Sequence, residues 1–411
     1  MPKRASTGPR GSAGGTKADS HVPVLDGVRG LAIIMVLFVH FIGDAQPYGA
    51  FERLLMKASN YGFYGVDLFF VLSGYLITGI LYDSKGSSHY FRNFYMRRVL
   101  RIFPLYYAVL FVLFFVLPRA APFYPAALEE SARHQPWIWP YGVNLFIALR
   151  GEWALPYVSH FWSLAVEEHF YLLWPVVVAF ASRRTLLKIC AGCALFSLVL
   201  RIALSFAGFN DISIQVLTPC RLDALCIGGF LAVASRSEVR DRLARIARPA
   251  TLLLAAAIVA VSAWTAGTGL LLPVFHPIRG SLVALLFGAL LIACVNARPR
   301  DVIARVFAHR TMRFFGKYSY GIYVFHGVIA YFFSEKRTED VVAVWIGSHL
   351  LAVLLQAAGG VALSVAISVL SYEWFEKRFL RLKRWFGDEA EVAVTPAPAM
   401  PQVEANPVRI S

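Results

Sequence analysis

A chain of 411 residues that is 58% hydrophobic and only 16% charged does not have the composition of a soluble globular protein. Its net charge of +15 would suggest nucleic acid as a partner in a soluble chain, but here the basic residues are sorted into loops between apolar segments, as basic inner loops of membrane proteins are. The cysteines, Cys190, Cys193, Cys220, Cys226 and Cys294, lie in or beside apolar segments, and the C-x-x-C spacing of the first pair lacks the further ligands of a zinc site, so neither a disulfide framework nor a metal site is expected.

In chain order, residues 1–22 are rich in Gly, Ser, Lys and Arg and are expected to be disordered. The next stretch, LDGVRGLAIIMVLFVH (25–40), reads as a first membrane helix and not a signal peptide, because Arg29 interrupts the apolar run and no clear A-x-A-like cleavage site follows. Arg29 and His40 lie ~16 Å apart along such a helix and within roughly 20° of each other around it. Ionisable groups in a bilayer are costly and usually face a protein interior or a water-filled cavity. The plainer alternative is a snorkelling arginine and a histidine bonded to a neighbouring helix.

Segments 24–43, 61–82, 99–118, 161–181, 187–207, 219–235, 250–268, 279–296, 316–333 and 342–372 are apolar enough to predict spans. The last is too long for a straight span and is expected to tilt or to extend beyond the bilayer. The run WIWPYGVNLFIAL (137–149) is short, carries Pro140 and Gly142, and reads as interfacial or re-entrant. After the last span, YEWFEKRFLRLKRWF (372–386) suits a helix lying on the inner leaflet, and 387–411 is expected to be disordered. Ten spans put both termini on one side. The segments assigned to that side hold 29 of the 40 Lys and Arg, against 8 on the opposite side. The fold expected is therefore all-α, a polytopic bundle over 23–372 with about ten transmembrane helices, N-in and C-in.

Several motifs lie on these helices. In GVDLFFVLSGYLI (65–77), Asp67 reads as a buried ion pair or cap and Ser73-Gly74 as a small surface for helix packing. The inner loop into helix three, FRNFYMRRVLRIFPLYY (91–107), carries Arg97, Arg98 and Arg101, then Pro104 and Tyr106. Topology explains basic residues there but not why all three are arginine. Guanidinium forks match phosphate oxygens, so a phosphate-bearing ligand on the cytoplasmic side is expected. HFWSLAVEEHFYLLWP (160–175) places Trp162 and Ser163 at a helix start and Glu167, Glu168 and His169 about two turns in, from the same outer end that His40 occupies. A carboxylate there could orient His40 as a general base, or form a buried salt bridge with Arg201 or Arg221. CRLDALCIGG (220–229) sets Arg221 and Asp223 at the outer rim, and YSYGIYVFHG (318–327) puts Tyr320, Tyr323 and His326 on one helical face as a plausible polar cavity wall.

The series, from Arg-x10-His through FFVLSGYLI, RRVLRIFPLYY, FWSLAVEEHFYLLWP, RLDALCIGG and SYGIYVFHG to YEWFEKR, resembles acyltransferase family 3, the integral-membrane O-acyltransferases of surface glycans. The resemblance covers about 24–380. It implies an acyl-CoA donor, acetyl-CoA above all, as co-substrate with no permanently bound cofactor. It implies a hydroxyl acceptor, usually on a sugar of lipopolysaccharide O-antigen, exopolysaccharide or peptidoglycan, at a bacterial inner membrane. By matching position it makes His40 catalytic and Arg29, Arg98 and Arg101 essential or donor-binding. Some members of the family fuse a C-terminal SGNH-type domain; only a short segment follows the bundle here, so a second step of that kind would call for a separate periplasmic partner.

The expected site has Arg29, Arg98 and Arg101, with Tyr106, holding the donor from inside. The thin pantetheine arm, on the order of the same ~16 Å, presents the thioester near His40. Glu167 or Glu168 orients that imidazole. Trp162, Ser163, Arg221, Asp223, Tyr320, Tyr323 and His326 surround the acceptor. A covalent acyl-histidine is the mechanistic alternative. A secondary transporter and a polysaccharide-export partner share this architecture, and a homo-oligomer is compatible with it.

Overall fold

The computed structural model describes residues 23–120, 124–268 and 275–387; the N-terminal 1–22 and the tail 388–411, expected to be disordered, lie outside them. The described residues form helices and connections with no strand. In lipid, a helix satisfies every backbone polar group within its own segment, so long apolar runs take this form.

Helix α1 (Pro23–Phe38) passes into a π-helical turn, Val39–Gly43. Helix α2 (Ala50–Asn60) leads through a 3₁₀ turn into α3 (Gly65–Asp83). Then come α4 (Tyr90–Phe111), α5 (Trp162–Phe180), α6 (Arg183–Phe206) and α7 (Leu222–Ala234). The rest is α8 (Arg240–Thr268), α9 (Phe275–Val295), α10 (Arg310–Lys336) and α11 (His349–Ser371). Eight helices among the described residues are long and apolar enough to cross a membrane.

The other two predicted spans are also helical. At 13 residues, α7 is only ~20 Å long, short of a ~30 Å hydrocarbon core. Helix α10 has 27 residues but too many polar ones for an apolar window, because much of its surface, His326 and Tyr323 included, is turned into the protein.

Two backbone-close crossings organise the bundle. Helix α1 lies on α10 where a Cβ on Gly30 would run into the Met312 carbonyl and one on Gly316 into that of Asp26. Helix α3 lies on α7 in the same way, Gly74 against Leu225 and Gly228 against Val71, so the predicted small surface at Ser73-Gly74 is a packing seam. Two buried ion pairs tie α7 to its neighbours: Arg221 to Asp67 on α3 at 2.6 Å, and Arg201 of α6 to Asp223 at 2.6 Å. Asp67 is thus half of an internal pair, as its sequence context suggested. The five cysteines carry free thiols.

Three expectations change. The arginine motif does not sit in a loop: α4 begins at Tyr90, since no helix breaker lies between there and Pro104, and Arg97, Arg98 and Arg101 are fixed on its first turns. Segment 342–372 is not one long helix. Thr338–Ile346 ends at Gly347, whose φ of 76° suits glycine, and α11 starts afresh with Ser348 as N-cap, accepting from the Leu351 amide at 3.4 Å. Segment 372–386 continues α11 as a π turn, a short helix Lys377–Arg381 and a 3₁₀ turn, and it folds back against α4. The run 137–149 is broken, as expected, into Gln135–Ile138 and Val143–Arg150.

Reporter fusions test the orientation. Fusions at 83–89 and 236–239 should report the cytoplasmic side and those at 44–49 and 151–158 the outer side; termini on opposite sides would overturn the N-in, C-in arrangement.

Candidate functional site: an arginine-lined cavity beneath a histidine cluster

A cavity of about 640 Å³ opens inside the bundle. Its wall follows α3 from Val66 to Asp83, about 25 Å along the axis and comparable with the bilayer core. Arg29 from α1, Arg97, Arg98 and Arg101 from α4, and Lys383 from beyond α11 line it. Glu167, Tyr171, Ser163, Tyr320 and Tyr323 line it too. Arg29 keeps Asp26 as a partner at 3.0 Å, and the Arg98 guanidinium lies 5.6 Å over the Tyr171 ring. A second cavity of about 240 Å³ shares Arg29, Arg101 and Tyr320 with the first. Clustered guanidinium groups in a partly closed, low-dielectric space suit a polyanion.

Two residues of the cavity wall, Ser163 and Tyr323, form a hydrogen-bonded pair. Ser163 Oγ meets the Tyr323 hydroxyl at 2.5 Å, and that hydroxyl donates to the His160 carbonyl at 2.8 Å. Next to Tyr323 three imidazoles gather. The His326 ring is 5.2 Å from that of Tyr323, 5.1 Å from His40 and 5.3 Å from His160.

Their backbone and carboxylate partners set the tautomers. His326 Nδ1 donates to the Tyr323 carbonyl at 2.6 Å, leaving Nε2 as a buried lone pair without a partner among the described residues. His160 Nε2 donates to the Val324 carbonyl at 3.1 Å. His40 lies in the π turn and its Nδ1 donates to Asp44 at 3.0 Å, so Nε2 is the basic nitrogen.

The structure places the sequence-derived residues as follows. His40 and His326 come together, as do Arg29, Arg98 and Arg101, while Ser163, Tyr320 and Tyr323 line the cavity. Neither Glu167 nor Glu168 is the hydrogen-bond partner of His40; Asp44, one turn further along the same segment, is. Glu167 accepts from Ser73 at 2.5 Å, and Ser73 in turn accepts from Tyr171 at 3.0 Å, which holds this carboxylate on the arginine cavity. Glu168 is directed elsewhere, its Oε1 buried without a protein partner. Tyr106 does not reach the donor cavity. It is fully buried, stacked on Tyr141 at 4.2 Å, and its hydroxyl donates to the Ile138 carbonyl at 2.6 Å. Trp162 is packed between Phe63 and Phe70 under the Arg221 guanidinium. Arg221 and Asp223 are buried and engaged in their ion pairs.

Asp44, His160 and Lys383 did not stand out in the sequence, and Ser73, expected only to pack, also holds Glu167 on the cavity. The signal for Asp44 was present, a carboxylate four residues after His40, where a helical turn brings it alongside.

The fold and the cavity define a multi-pass membrane protein with an internal arginine-lined chamber and a cluster of histidines beside its Tyr323 wall. The acyltransferase domain model Acyl_transf_3 matches residues 22–373, and the chain belongs to that family. It is 26% identical over 370 residues to the O-acetyltransferase OatA of Staphylococcus aureus, covering 82% of this chain and 55% of the relative. It is 30% identical over 322 residues to the peptidoglycan O-acetyltransferase OatA of Listeria monocytogenes, covering 74% and 49%, and 29% identical over 342 residues to the putative peptidoglycan O-acetyltransferase YrhL of Bacillus subtilis, covering 76% and 49%. The chain therefore spans about half the length of these relatives. No solved structure matches it.

Proposed function

We propose that the chain is an O-acetyltransferase that moves an acetyl group from acetyl-CoA to a hydroxyl of a surface glycan, in the bacterial cytoplasmic membrane with both termini inside. One observation carries this reading: the arginine-lined cavity includes the Ser163–Tyr323 pair in its wall, and three imidazoles cluster next to Tyr323. The arginines take the donor's phosphates from the cytoplasmic side. The pantetheine arm follows α3, and the Tyr323 side chain turns aside to admit the thioester to the imidazoles. The Asp44 carboxylate, half exposed, marks the side from which the acceptor arrives.

His40 acts as general base with Asp44 as its orienting group. The acceptor hydroxyl gives its proton to His40 Nε2 as its oxygen attacks the thioester carbonyl. The C–S bond breaks, the thiolate of CoA leaves, and the imidazolium returns the proton to that sulfur. The names of the relatives support a glycan acceptor of the peptidoglycan type; lipopolysaccharide and exopolysaccharide hydroxyls offer the same chemistry.

The full chain in nanodiscs, given acetyl-CoA carrying a deuterated acetyl group and soluble chito-oligosaccharides, should release CoA and label the sugar with the deuterated acetyl ester, read by mass spectrometry. Folded protein that leaves acetyl-CoA intact would favour a transporter or an export partner.

A further inference from the structure

Beyond the last span, the segment Tyr372–Phe386 has the composition of a surface helix, with Arg378, Arg381, Arg384 and Trp385 on exposed positions. Lys383 differs from these. It is half-buried and faces the large cavity alongside Arg29, Arg97, Arg98 and Arg101. No carboxylate is paired with it among the described residues. A lysine with a flexible four-carbon stem at a membrane surface would ordinarily snorkel toward water and anionic headgroups. The cavity's own carboxylates are engaged elsewhere, Asp26 with Arg29, Asp83 with Arg236 and Glu167 with Ser73, so a lysine turned toward four guanidinium groups is stabilised by a further anion between them.

The segment is also tied down. Glu376 is buried and accepts from Ser371 at 3.0 Å, while Asn93 of α4 donates to the Gly387 carbonyl at 3.3 Å. These anchors hold the segment against α4, with Lys383 on the cavity wall beside the α4 arginines.

We propose that Lys383 is a donor-binding residue, and that the segment carrying it is a strap closing the phosphate end of the cavity. The ligand group is a phosphate of a polyanionic nucleotide thioester. The inference rests on the donor reading above. Arg98 and Arg101 offer planar forks from a rigid helix, and Lys383 adds a point charge from a separate element. The donor is then enclosed by parts of the chain nearly 300 residues apart in sequence.

The test is CoA binding by calorimetry in phosphatidylcholine nanodiscs, which exclude anionic lipid as an alternative source of phosphate. Lys383→Met keeps the stem and should weaken binding roughly 10- to 150-fold. Lys383→Arg should stay within a few-fold, and Arg384→Met should bind as wild type. A chain truncated after Gly387 keeps the strap and should also bind normally. Because a substitution may disturb folding, the unmutated protein supplies a second readout: CoA should slow tryptic cleavage after Lys383 and Arg384. Equal CoA affinity in Lys383→Met and wild type, or cleavage unaffected by bound CoA, overturns this inference alone. A wild type that binds no CoA overturns the donor reading and this one with it. Weakened binding seen only in phosphatidylglycerol discs would assign the lysine to lipid instead.

Discussion

His40→Ala is expected to lower acetyl transfer by ~10²–10⁴-fold while leaving CoA binding intact. The size follows from the role: a positioned general base contributes that much, and the donor arginines are untouched by the change. Its geometry is that of an oriented imidazole, with Nδ1 bonded to Asp44 at 3.0 Å and Nε2 left basic. Asp44→Asn should act through His40, lowering the rate less than His40→Ala and shifting the pH profile of transfer, with CoA affinity unchanged.

His326 is the rival base. It is fully buried with an unpartnered Nε2, and its ring lies 5.1 Å from that of His40. The decisive comparison is His40→Ala against His326→Ala in one transfer assay, with monodispersity and CoA affinity measured for each. Near-normal turnover in folded His40→Ala would overturn the assignment.

Arg98→Ala and Arg101→Ala should each weaken CoA binding by ~1.5–3 kcal/mol, roughly 10- to 150-fold, the usual loss for a charge-assisted hydrogen bond. Both side chains line the main cavity, and Arg101 reaches the smaller one as well. Their losses should not simply add, because neighbouring groups on one ligand are coupled. Rising salt should weaken wild-type binding more steeply than that of the double variant. Wild-type affinity in both single variants would reduce these arginines to topology determinants.

The helical bundle was legible in the sequence, and so were the residues that the fold gathers into the candidate site's arginine and histidine clusters. Arg29 and His40 stood out because ionisable groups in an apolar run are costly, and the RRVLR cluster because arginine is a specific choice over lysine. What the sequence could not disclose was direction. Glu167 and Glu168 are adjacent on one helix, and which way Glu167 faces is decided by Ser73, 94 residues away. Tyr106 follows the arginines in a motif that reads the same whether the tyrosine lines a cavity or packs on Tyr141. His160 lies in a 3₁₀ turn ahead of α5, outside any helical face that periodicity could define. Lys383 resembles every other basic residue of a surface helix, and only the return of the chain onto α4 turns it inward.

The glycine crossings have a genetic consequence. Helix α1 runs into the π turn that carries His40, α10 carries His326, and the two helices touch backbone to backbone at Gly30 and Gly316. Any side chain at those glycines must push the helices apart, and the spacing of the two imidazoles moves with them. Loss-of-function alleles will therefore collect at positions that meet neither donor nor acceptor. A screen scored only on activity would draw an active site larger than the real one, with glycines on its map where there is no chemistry.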